Sequence, residues 1–90
     1  MTLLVQHQAN ITAPQQVDYA TDLSQGGLFI HTSLPAEPGA TLQVQFAPQK
    51  DARLVSAFCR VRRITPTGMG AEFIQMDAES QRLLRCVLAN

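Results

Sequence analysis

The first 49 residues contain no lysine and no arginine. Residues 1–50 hold one base, Lys50, against Asp18, Asp22 and Glu37, whereas residues 51–90 hold six arginines against four acids. The formal net charge of the chain is zero. A domain that binds a nucleic-acid polymer needs a basic excess to displace counterions, so such a partner is not expected here. Cysteine is scarce as well. Cys59 and Cys86 alone do not make a disulfide scaffold, and they read as reduced thiols in an intracellular protein. The opening "MTLLVQHQ" lacks the basic start and long apolar stretch of a signal peptide. No apolar run approaches the roughly 18–20 residues that span a bilayer, so no membrane insertion is expected and the protein reads as cytoplasmic.

What is present is enough for one small core. Ninety residues, 46% of them hydrophobic, make a single domain over 1–90. Strict alternation in "LVQHQANIT" puts Val5, His7, Ala9 and Ile11 on one face of a strand. After "APQQ", the segment "VDYATDL" alternates Val17, Tyr19, Thr21 and Leu23 against Asp18, Ala20 and Asp22. "LFIHT" is a short strand, and "SLPAEPGA" is a loop by its prolines and glycine. "TLQVQFA" turns Leu42, Val44 and Phe46 inward. "RLVSAFCRVRRI" sets Ala57, Cys59 and Val61 against Phe58, Arg60 and Arg62, with Arg63 opposite those arginines. "MGAEFIQM" is the last strand.

The period then changes. Asp77 is a good N-cap, Glu79 suits the first turn of a helix, and Leu83, Leu84, Val87 and Leu88 form one apolar stripe. About 12 helical residues are marginal alone, so this stripe must dock, either on the barrel or on a partner protein or second copy. Six short strands followed by one helix predict a mainly β fold: a small six-stranded antiparallel barrel with one C-terminal α-helix across an end or side.

The segment "TDLSQGGLFI" carries the candidate chemistry. Asp22 can accept from amides two or three residues on, and Ser24 can do the same. Gly26 and Gly27 allow positive φ or close approach of another backbone or a ligand. Outward amides in such a turn suit an anion. His7 and His31 have no metal spacing to either cysteine and read as structural or exposed. Asp22, Ser24 and His31 contain the residue types of a hydrolase triad without the arrangement of one, so no enzyme, catalytic residue or metal site is expected.

Taken together, Asp22-Leu23-Ser24-Gln25-Gly26-Gly27, the Pro/Gly loop, "AFCRVRRI" and Gly68-Met69-Gly70-Ala71-Glu72-Phe73 resemble the PilZ family from about Val5 to Leu88. The resemblance implies a six-stranded barrel with a C-terminal helix, and a place in bacterial cyclic di-GMP signalling, including motility and surface control. It also implies a D-x-S-x-x-G turn at Asp22, Ser24 and Gly27, with Gly26 beside it, for the dinucleotide. The family's second element, an R-x-x-x-R segment just before the first strand, has no counterpart in these residues. Each arginine fork on a phosphate is a charge-assisted contact of about 1.5–3 kcal/mol, so lacking two forfeits roughly 10²–10⁴ in affinity. Arg60, Arg62 and Arg63 are the candidate compensating cations. Two readings stay open. One is a protein-interaction adaptor with cyclic di-GMP binding weak or lost, no cofactor, and a bacterial protein or a second copy as partner. The other is a receptor that borrows the strand arginines. Phe58, on the strand face it shares with Arg60 and Arg62, suits an interface.

Overall fold

The computed structural model describes residues 2–10, 12–48 and 53–89. Six strands run in chain order: β1 Leu3–Gln8, β2 Gln16–Thr21, β3 Gly27–His31, β4 Thr41–Phe46, β5 Val55–Thr65 and β6 Gly68–Met76. One helix follows, α1 Ala78–Leu88. All strand pairs are antiparallel, and the sheet closes on itself in the order β1-β2-β3-β6-β5-β4. Closure removes the open edges that would otherwise invite pairing with another chain.

The alternating segments put their apolar residues inside. Val5, Ile30, Leu42, Val44, Phe46, Val55, Cys59, Val61 and Met69 are almost completely buried. Phe73 stacks on Phe46 at a centroid distance of 6.3 Å. Three features depart from simple alternation. First, β1 stops at Gln8, and Ala9 is exposed. The Asn10 side-chain oxygen accepts from the amides of Thr12 and Ala13, which turns the chain before a longer strand can form. Ile11 lies outside the described residues. Second, the inner face of β2 is the Asp18/Ala20 face, while Val17 and Tyr19 are about 60% exposed. A buried polar group dictates this orientation. His7 points inward at 2% exposure, and its Nε2 meets Asp18 Oδ2 at 2.8 Å, so Asp18 must face the same way. Third, β5 and β6 slip register twice, between Phe58 and Cys59 and between Val61 and Arg63.

The helix docks as its stripe requires. Asp77 caps it, accepting from the Ser80 amide at 2.7 Å. Leu84 and Val87 are buried, and Leu83 and Leu88 pack partly against the core. Ser80 is buried too, and its hydroxyl accepts from the Ser56 amide at 3.0 Å, which ties the first turn of α1 to β5.

Candidate functional site

Of the two side chains expected to hold the turn between β2 and β3, Asp22 and Ser24, it is Ser24 that does so. The Ser24 amide donates to the Gly27 carbonyl at 2.9 Å, and the Gly26 amide donates to Ser24 Oγ at 3.2 Å. The Asx bond expected of Asp22 does not form. Asp22 sits at φ 57°, in the left-handed region where a short polar residue is tolerated, and its exposed carboxylate bonds none of the turn amides. Neither glycine adopts positive φ, and close approach of another backbone occurs at Gly27, not at Gly26. A Cβ on Gly27 would lie 2.1 Å from the Ala71 carbonyl oxygen, because β3 presses against β6 there. The Gly26 carbonyl accepts from the Phe73 amide at 2.8 Å and extends the same pairing one step into the turn.

Arg63 joins Arg62 at this turn through a β-bulge. In a regular strand Arg63 would share the inward face of Val61. Instead Val61 pairs with Ala71 and Arg63 pairs with Gly70, so Arg62 is the extra residue and both arginines face outward. This corrects the expectation that Arg62 and Arg63 lie on opposite faces. Phe29, Gly70 and Arg63 then form one row across β3, β6 and β5. Gly70 has no side chain, so the Arg63 guanidinium passes over it and lies 5.9 Å from the centroid of the Phe29 ring. On the other side of Phe29 stands His31, edge-on at 4.9 Å, with its Nε2 2.8 Å from Thr21 Oγ1.

These residues enclose an open groove of about 260 Å³, lined among others by Asp22, Gly26, Gly27, Phe29, Arg62, Arg63, Gly70 and Glu72. Asp22, Gly26, Gly27, Arg62 and Arg63 are thus brought together as candidates. Ser24 braces the turn behind the groove, and Arg60 does not line it. Glu72 had not been singled out. Its carboxylate accepts from Arg62 twice, from Nη2 at 2.6 Å and from Nε at 3.2 Å. The signal for it was its position two residues after Gly70, which fixes it on the same outer face. Two cations and two carboxylates line the groove, and one cation is already engaged by one carboxylate. A larger cavity of about 450 Å³ lies behind the turn between β6 and α1, lined by Phe73, Met76, Leu84 and Arg85, and it shares only Gln25 with the turn. We regard the smaller groove as the site, because the turn and the arginines converge there. No cluster of metal-ligating side chains occurs among the described residues.

A model of the PilZ domain family matches residues 2–90. The chain belongs to the PilZ domain family. This places it in a family tied to cyclic di-GMP signalling. The fold of this PilZ domain is also that of a solved structure, the Bacillus subtilis inhibitor of motility MotI/DgrA, with a TM-score of 0.79 and 22% identity. That match covers 99% of the present chain and 46% of the Bacillus chain, so the PilZ domain spans about half the length of this structural relative. No curated protein sequence matches the chain. No helix among the described residues is long and apolar enough to cross a membrane.

Proposed function

We propose that this PilZ domain is a non-enzymatic, cytoplasmic adaptor in bacterial signalling that docks a protein partner and binds cyclic di-GMP weakly or not at all. The observation that carries this reading is the charge balance of the groove. A doubly anionic dinucleotide would meet Arg63, held over Phe29, and Arg62, already engaged by Glu72, with the Asp22 carboxylate, which forms no ion pair among the described residues, at the rim. Like charges facing one another at such a surface oppose association as strongly as the two cations favour it. An adaptor also needs surface that the fold does not use. Leu4 and Tyr19 are opposite each other on β1 and β2, with Val17 beside them, and all three are more than half exposed on the outer face. The solved relative's title names an inhibitor of motility. We extend motility control to this domain as part of the proposal.

One observation favours the receptor reading: the bulge turns Arg63 outward beside Arg62, and both line the groove at the D-x-S-x-x-G turn, where a bound dinucleotide would need them. Calorimetric titration with cyclic di-GMP at low salt separates the two. The adaptor reading expects no saturable heat up to roughly hundreds of micromolar ligand, in line with the loss of arginine forks. Tight binding abolished by Arg62→Ala and Arg63→Ala would replace it with the receptor reading.

A further inference from the structure

We infer that Glu72 is a built-in competitor for phosphate: its carboxylate occupies the guanidinium edge of Arg62 that would otherwise meet a phosphodiester, and it sets the anion affinity of the groove. The inference rests on the reading of the Asp22–Gly27 groove as the nucleotide face of the domain, and it identifies what limits that face. The geometry is direct. Arg62 offers Nε and Nη2 along one edge of its planar fork, and both point at Glu72 Oε1, at 3.2 and 2.6 Å. That edge is one of the two that arginine can present to a phosphate oxygen pair. Glu72 and Arg62 both line the groove, about half exposed, so the pair stands where a ligand would arrive.

The pairing is also local to this site. Register alone would set Glu72 beside Arg60, since the two are paired residues on β6 and β5. Arg62, two residues further along the same outer face, is its diagonal neighbour and engages it instead, while the bulge turns Arg63 outward beside the pair. An incoming dianion must break an exposed ion pair, which costs little, and must then sit beside the released carboxylate, which repels it. Arg63 escapes this competition because its guanidinium lies over the Phe29 face, and none of the ion pairs found among the described residues engages it.

Removing the charge of Glu72 while keeping its shape therefore shifts the groove from balanced to cationic. The test titrates cyclic di-GMP into the wild type, Glu72→Gln, the double variant Arg62→Ala/Glu72→Gln, and Arg60→Ala. Binding is followed through the amide resonances of Gly26, Gly27 and Gly70 so that millimolar affinities register, and thermal melts establish that each variant is folded. Glu72→Gln should bind about tenfold to a hundredfold more tightly than the wild type, the gain should shrink as salt rises, and the double variant should lose it. Arg60→Ala should match the wild type. Equal or weaker binding by folded Glu72→Gln overturns the inference, as does absence of binding by both proteins. Tight binding by the wild type overturns the adaptor reading alone, because the ratio between wild type and Glu72→Gln still reports on Glu72.

Discussion

Gly27 and Gly26 are adjacent and chemically identical, yet they do different things. Gly27 is where the backbones of β3 and β6 come closest, and an added Cβ would meet the Ala71 carbonyl at 2.1 Å and the Glu72 Cα at 3.1 Å. Backbone atoms cannot swing aside as a side chain can. Gly27→Val should therefore cost about 2–3 kcal/mol, which is the upper part of the overpacking range. In a domain of this size that lowers the melting temperature by roughly 10 °C or more. At Gly26 a Cβ would find only Ser24 Oγ, at 3.8 Å, so Gly26→Ala should melt within a few degrees of the wild type. Calorimetric melting curves of the two variants check the contrast. Equal effects would mean that the turn is held by something other than contact with β6.

Among the elements, α1 has the clearest dependence on one group. Hydrogen bonds from the Ser80 backbone and then from the Ser80 side chain hold the Asp77 carboxyl below its ordinary value of 3.8. A carboxyl lowered on folding contributes stability that is present above pH 3.8 and is lost as pH falls through the folded value. Asp77→Asn should thus melt lower than the wild type near neutral pH, and the gap should narrow below about pH 4, as followed by circular dichroism across a pH series. A constant gap would remove the charge from the account. The helix was legible because a capping residue, a first-turn acid and an apolar stripe all coincide between Asp77 and Leu88. The strands of β4 and the inward run of β5 were equally plain, since period two leaves one arrangement of Leu42, Val44 and Phe46 or of Ala57, Cys59 and Val61. The inward face of β2 was not legible, because hydropathy cannot show that a buried His7 needs Asp18. Nor was the place of Arg63. A bulge is a property of two strands in register, and neither strand alone contains it. For the same reason Asp22, Gly26 and Gly27 could be named as candidates from their segment alone, while Glu72 waited for its neighbour across the sheet.

At the scale of the whole molecule, the two thiols report on different things. Cys59 is sealed inside the barrel, and burial pushes its pKa from 9.0 up to about 12. Cys86 is on the exposed side of α1. A thiol reagent at neutral pH should modify Cys86 readily and reach Cys59 only as fast as the barrel opens, because the thiolate is the reactive form and the native state suppresses it. A group whose pKa rises on folding stabilises the fold fully below the unfolded value. That contribution is lost as pH climbs, here between about 9 and 12. Replacing Cys59 with alanine should blunt the alkaline decline, which urea titrations at pH 8 and pH 10 would measure. An undiminished decline would assign it to other groups.

The closed strand order carries one more consequence, for how the molecule is made. The last seam joins β1 to β4, with Val5 beside Phe46, and β3 must find β6 across two intervening strands. Such contacts repay the entropy of chain closure only after long segments have already been drawn together. Assembly of this barrel is therefore paced by the meeting of distant strands, in milliseconds to seconds by the usual trend for such topologies, and α1, marginal alone, lasts only once they have built the surface it rests on.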